Sequence, residues 1–150
     1  MAAGGLAEEL KSQVGVDLPP LVYEIERGMI RRFTQAVGDP NPLWQDEEYA
    51  SRSSFGGIIA PPTLLLILGF GQMLQTLTSD SSLTVLHGST ELECHQPVRP
   101  GDVITVTTKI ANVRERPGKM GKTLFVTFDM TGINQGQDVV AKCRQMAIIY

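Results

Sequence analysis

The side chains able to do chemistry gather in one stretch, Gly38 to Leu68, GDPNPLWQDEEYASRSSFGGIIAPPTLLLIL. Asp39 offers a carboxylate held between a glycine and a proline, and a carboxylate becomes a useful general base where burial raises its pKa. Trp44 offers an indole N–H, which donates and cannot accept a proton. Imidazole is the side chain best matched to proton transfer near neutral pH, and the chain has only two, His87 and His95. Asn41, Trp44, Tyr49, Gly57, Ile58, Ala60 and Thr63 are candidates for lining a substrate site. Arg99 and Lys122 are candidate cations for phosphate groups.

A structural role competes for each of these residues. An Asp before proline commonly bonds local amides in a turn, and Asn41 can fix its own loop in the same way. Trp44 reads as an aromatic packing the loop. Tyr49 sits where a short amphipathic helix would bury it, and Gly56-Gly57 can serve a turn with positive φ instead of a ligand. By parity His87, Ser89, Glu91, Glu93 and His95 share one face of a strand, ordinarily a solvated or interface face, so His95 reads as structural. His87 opens that strand and is the imidazole better placed to reach a site.

The elements that must position these groups follow from periodicity. Leu6, Leu10 and Val14 are spaced like one face of a short helix in an N-terminal extension, residues 1–20, that ends at Pro19-Pro20. Residues 21–150 read as a single domain. Leu21 to Ile25 reads as a strand. Met29, Ile30, Phe33, Ala36 and Val37 recur at helical spacing, closed by Gly38 as a C-cap. Asp39-Pro40-Asn41-Pro42 cannot continue that helix, and Asp46 to Ala50 forms one helical turn with acidic residues at its start. From Pro62, TLLLILGFGQMLQTL is apolar almost all round, which predicts one central helix covered by sheet. A turn at Thr78 to Ser82 precedes strands over Leu83–Gln96, Asp102–Arg114, Thr123–Ile133 and Val139–Ile149. The joints are Arg99-Pro100-Gly101-Asp102, Arg116-Pro117-Gly118-Lys119 and Asn134-Gln135-Gly136-Gln137.

Composition excludes several classes. A chain of 150 residues suits one core and needs neither disulfide nor metal for stability. Net charge of -3, a pI near 5.3 and no basic run longer than Arg31-Arg32 argue against a nucleic-acid partner. Cys94 and Cys143 lack metal-ligand spacing and read as reduced core thiols, so a cytoplasmic protein is expected. The apolar run Ile58 to Phe70 is too short to span a bilayer, and nothing resembles a signal peptide; no membrane partner is expected.

A buried helix followed by a four-strand antiparallel meander, with an early strand completing the sheet, is an α+β layer in which the sheet wraps the helix: the hotdog arrangement. Its open sheet edge predicts pairing with a second hotdog, as homodimer or heterodimer. The residues themselves resemble a family with this fold, the MaoC-like dehydratases that include R-specific enoyl-CoA hydratases and 3-hydroxyacyl dehydratases. The family's catalytic loop reads approximately G-D-x-N-P-[aliphatic]-H-x5-A, and Gly38 to Trp44, followed by five residues and Ala50, fits at every position but the histidine. Gly57 to Thr63, Val85-Leu86-His87-Gly88 and His95 to Asp102 are similar to the subgroup named for the dehydratase domain of fungal fatty-acid synthase.

That resemblance implies reversible syn addition of water to a trans-2-enoyl thioester carried by CoA or a carrier protein, without a cofactor. An aspartate and a histidine hold the water, and backbone N–H groups polarise the thioester carbonyl. The chain departs from the pattern twice. Trp44 stands where the histidine is expected, and Pro61-Pro62 replaces His-Gly, so that Thr63 N–H would have to serve as oxyanion donor. Three readings follow. The chain is the substrate-holding half of a two-subunit dehydratase; or His87 replaces the missing base beside Asp39; or the chain binds thioesters without chemistry. A hotdog thioesterase is the competing enzyme class. In each, the CoA or carrier arm would enter along the N-terminus of the central helix.

Overall fold

Alternating apolar residues build the sheet. In the computed structural model, which describes residues 2–78, 82–119 and 121–150, Ile104, Val106, Thr108 and Ile110 turn inward from β3 (Val103–Gly118) while Val103, Thr105, Thr107 and Lys109 turn outward. The same alternation places Leu124, Val126, Phe128 and Met130 of β4 (Gly121–Ile133) in the core. From β5 (Val139–Ile149), Cys143, Gln145, Ala147 and Ile149 are buried. β1 (Leu21–Glu24) pairs with β3, and β2 (Val85–Cys94) pairs with β5, all antiparallel. The five strands lie in the order β1-β3-β4-β5-β2.

This order corrects the expected four-strand meander. β3, β4 and β5 do form one, but β2 crosses to the far edge and leaves its other neighbour on β3 to β1. β3, β4 and β5 each offer an apolar face, so local pattern does not choose which of them β1 and β2 join. β3 and β4 also run past the expected turn: Arg116 pairs with Thr123, Pro117 with Lys122 and Gly118 with Gly121, so the strands continue through the Pro-Gly expected to end them. The turn expected over Thr78–Ser82 falls, at residues 79–81, outside the described residues.

Three helices flank the sheet before the central element. α1 (Ala2–Ser12) buries Leu6, Ala7 and Leu10 in the same core cluster as the strands, whereas Val14, past its end, is exposed. α2 (Arg27–Val37) ends at Gly38, whose φ of 69° is the expected left-handed cap, with Asp39 N–H donating to Thr34 O at 2.9 Å. α3 (Glu47–Arg52) starts at Asp46, whose carboxylate accepts from Tyr49 N–H at 3.0 Å.

The central element is not one helix. A 3-10 segment, Pro62–Leu66, gives way to α4 (Phe70–Leu77) across Gly69 at φ 84°. A Cβ at Gly69 would lie 3.2 Å from Val106 Cγ1, so only glycine lets the break approach the sheet this closely. Tyr23 Oη accepts the Gly69 N–H at 3.0 Å, and buried Gln145 donates its Nε2–H to Leu66 O at 3.0 Å. Tertiary partners thus satisfy the backbone groups that the break releases. Leu64, Leu68, Met73 and Leu77 form the side of this element that packs into the sheet. Among the described residues no helix is long and apolar enough to cross a membrane.

Candidate functional site

The Asp39 loop is closed by its own side chains. Asp39 Oδ1 accepts from Asn41 N–H at 3.0 Å and Oδ2 accepts from Trp44 Nε1–H at 2.8 Å. Asn41 Oδ1 in turn accepts from Leu43 N–H at 3.0 Å, capping the 3-10 turn Pro42–Trp44. Both oxygens of the half-buried carboxylate are therefore engaged, one of them by the residue standing in the histidine position. An indole cannot relay a proton, so this pair has one proton acceptor, Asp39, already shared between two donors. Arg27 at the start of α2 grips Glu47 of α3 with both guanidinium nitrogens and lowers that carboxyl, fixing the far end of the loop.

A second group of expected residues forms the wall leading into the central element. Ile58, Ile59 and Ala60 are buried, and Ala60 N–H donates to Val98 O at 2.7 Å. Gly57 lies beside the Arg99 guanidinium, which donates to Phe55 O at 2.5 Å. Arg99 N–H donates to Asp102 Oδ2 at 2.8 Å, the turn bond expected of the Pro-Gly-Asp sequence. Between these segments lies a largely apolar cavity of about 200 Å³, lined by Phe55, Ile59, Ala60, Pro62 and Leu65 on one side and residues 94–98 on the other. Leu65 also borders a smaller apolar slot against Ile104, Val106, Met130 and Gly132 of the sheet.

The structure thus brings Asp39, Asn41 and Trp44 together, and separately Gly57, Ile58, Ala60 and Arg99. Tyr49 stands on α3, 53% exposed. Thr63 is exposed at the second position of a five-residue 3-10 segment, so the long helix N-terminus expected to favour anionic groups is reduced to about one turn. Lys122 sits near the tip of the β3–β4 hairpin with Glu115, whose carboxyl it lowers, and no hydrogen bond or ion pair joins it to Arg99.

His87 is the largest rearrangement of the expected face. The register slips between His87 and Ser89, where a Cβ on Gly88 would lie 2.8 Å from Met146 Cε. His87 therefore pairs with inward-facing Ala147 and leaves the face of Ser89, Glu91 and Glu93. Its Nε2 is 2.6 Å from Thr90 Oγ1, and among the described residues no hydrogen bond, ion pair or shared cavity connects it to Asp39. Cys94, expected in the core, is exposed beside the 200 Å³ cavity at the end of the edge strand β2, which is exposed along most of its length; Cys143 is buried, and burial raises its thiol. Phe55, Leu65 and His95 are cavity residues not foreseen as such. The Gly-Gly and Pro-Pro signals flanking the first two were the available clue. His95 Nε2 lies 2.9 Å from Glu93. No cluster of three or more metal-ligating side chains occurs among the described residues.

Comparison with known proteins fits this geometry. Residues 12–143 match the family described as FAS1-like, dehydratase domain region. A UPF0336 protein of Streptomyces avermitilis is 40% identical over 114 residues, 72% of this chain and 75% of the relative. A probable enoyl-CoA hydratase alpha subunit of Thermomonospora curvata is 26% identical over 93% of this chain, which spans 46% of that protein. Among solved structures, the monoamine oxidase regulatory protein of Archaeoglobus fulgius superposes with a TM-score of 0.78 at 26% identity, covering 93% of this chain and 92% of the other. The truncated HadBC (3R-hydroxyacyl-ACP dehydratase) complex of Mycobacterium tuberculosis shares the fold, with a TM-score of 0.77 at 22% identity over 91% and 96% of the two chains.

Proposed function

We propose that this chain, which belongs to the FAS1-like dehydratase-region family of MaoC-like hotdog proteins, is the substrate-holding subunit of a hydratase/dehydratase acting on an enoyl or 3-hydroxyacyl thioester. The observation that carries this reading is the 2.8 Å bond from Trp44 Nε1–H to Asp39. It fills the position where an imidazole would share a water with the carboxylate, and it leaves the loop well ordered but without a relay. A second hotdog subunit would supply the aspartate and histidine, as homologous chains named as subunits and complexes suggest. The free edge of β2 and its largely exposed residues are where such a subunit would pair.

In this reading the acyl chain lies along Ile59, Ala60 and Leu65, and Arg99 stands where a phosphate of CoA or of a carrier arm would approach. Lys122 is the outlying member of that pair. No cofactor is required, since the thioester is itself the activated group. Addition of water places hydroxyl on C3 and a proton on C2, both handled by the partner's base and acid. A cytoplasmic setting suits the exposed thiol of Cys94.

The test uses the purified chain with crotonyl-CoA and with a longer trans-2-enoyl-CoA. Trp44 is the chain's sole tryptophan, so its fluorescence reports binding that reaches the Asp39 loop, and calorimetric titration reports binding in the cavity that Trp44 does not line. The expected result is a saturable change in fluorescence with no loss of enoyl absorbance. Turnover abolished by His87→Ala would overturn the reading in favour of a self-sufficient hydratase. Release of free CoA would assign the chain to the thioesterases, and absence of any binding would remove the thioester altogether.

A further inference from the structure

The outer face of the sheet, turned away from the central element, carries its side chains in cross-strand rows, because paired residues of antiparallel strands share a face. One row runs Leu86, Ile148, Phe125, Arg114 across β2, β5, β4 and β3. Leu86 is 46% exposed, Ile148 and Phe125 are half-buried, and the Arg114 guanidinium carbon lies 5.9 Å from the Phe125 ring centroid. A second row runs Glu91, Arg144, Asp129, Lys109 across the same strands. Arg144 binds Asp129 through two hydrogen bonds of 2.7 and 2.9 Å and holds its carboxyl below the ordinary range. Glu91 and Lys109, at the row's ends, are exposed; among the described residues neither side chain forms a hydrogen bond or ion pair, and each acts on its row neighbour through charge alone, Glu91 on Arg144 and Lys109 on Asp129. A shallow concavity of about 600 Å³ lies over this row.

The charges alternate in sign, negative, positive, negative, positive. A two-fold axis parallel to the strands, passing between β5 and β4, would set a second sheet against the first with each row reversed. Glu91 then meets Lys109 of the second copy, and Arg144 meets Asp129. The same axis sets Ile148 against Phe125, and Leu86 against the aliphatic stem of Arg114. Two rows of different chemistry, one apolar and one charged, select one symmetry operation. A closed two-fold contact of this kind is self-complementary by construction.

We infer that the outer sheet face is a docking surface for a second copy of this chain, packed back to back through the Leu86–Arg114 and Glu91–Lys109 rows. The contact is separate from the β2 edge and does not depend on the thioester reading. Four strands about 4.8 Å apart and four rows about 7 Å apart cover roughly 500 Å² of each sheet. Two such faces bury about 1,000 Å², the lower range of specific interfaces. Aligned sheets pack at a small angle with their inner rows opposed, which suits this arrangement.

Sedimentation of the purified chain over a range of concentration tests the inference. Ile148→Glu is expected to halve the limiting mass while the circular dichroism spectrum is unchanged, since the side chain is on the outer face. Glu91→Lys opposes a lysine to Lys109 at two symmetric places and is expected to weaken association at least about tenfold at low salt. Lys109→Glu is expected to do the same. Combined, the two substitutions restore complementarity and association. Because Glu91 and Lys109 also act through charge on Arg144 and Asp129 of their own protomer, thermal denaturation of each variant separates a loss of stability from a loss of association. Unchanged mass in Ile148→Glu, or a double variant no better associated than the single ones, would overturn the inference.

Discussion

The Asp39 loop and the break at Gly69 are both irregular backbone, and they are held by opposite means. In the loop, Asp39, Asn41 and Trp44 bond one another across at most five positions of sequence. At the break, Leu66 O is held by Gln145, 79 positions away, and Gly69 N–H by Tyr23, 46 positions away. The glycines differ in the same way. Gly38 turns at φ 69° with nothing within 4 Å of a would-be Cβ, whereas Gly69 turns at φ 84° against Val106. The loop's shape is set by local hydrogen bonds, with Trp44 packed against the core; the break is a shape imposed on an apolar segment by the sheet it packs against.

The largest effect that would test this contrast is Gly69→Val. It combines a left-handed φ forbidden to a branched residue with a clash against Val106, and should cost on the order of 3–5 kcal/mol in urea denaturation. Gly38→Ala, with only the backbone term, should cost about 1 kcal/mol. Equal losses at the two glycines would erase the distinction.

Next in size, Gln145→Leu leaves Leu66 O buried without its donor and should cost about 1–3 kcal/mol. Tyr23→Phe releases the other anchor of the same break. The two should be non-additive by more than about 0.5 kcal/mol in a double-mutant cycle, and strict additivity would show that the anchors do not share one structural element. The smallest effect is Trp44→Phe, which removes the indole donor and should cost about 0.5–1.5 kcal/mol in thermal denaturation. Because the loop's hydrogen bonds are local and none joins it to Gln145 or Leu66, this loss should add simply to that of Gln145→Leu. Coupling between them would mean that the loop and the break form one unit.

Much of the architecture was legible from the chain because it depends on neighbours in sequence. Gly38 as a left-handed cap, Asp46 as the start of α3 and the inward Ile104, Val106 and Ile110 all follow from local chemistry or from the two-residue period of a strand. The Asp39–Trp44 bond is equally local, joining residues five apart, yet the chain alone suggested only that Trp44 packs the loop, because residue type does not say which way the indole N–H points. His87 is the contrary case. Parity assigned it to the face of Ser89 and Glu91, and the slip beside Gly88 moved it to the face of Ala147, where it remains exposed.

The sequence by itself determined the family, the Gly38 cap, the Asp46 start of α3 and the alternating faces of β3 up to its slip after Ile110. The tertiary structure alone decided the strand order, the break at Gly69, the exposure of Cys94 and the change of face at His87. The physical reason is range. A hydrogen bond spanning a few residues is encoded where it forms, whereas the partner of Leu66 O, the neighbour of β2 and the depth of a thiol depend on which distant apolar faces close upon one another, and several strands offer faces of the same kind.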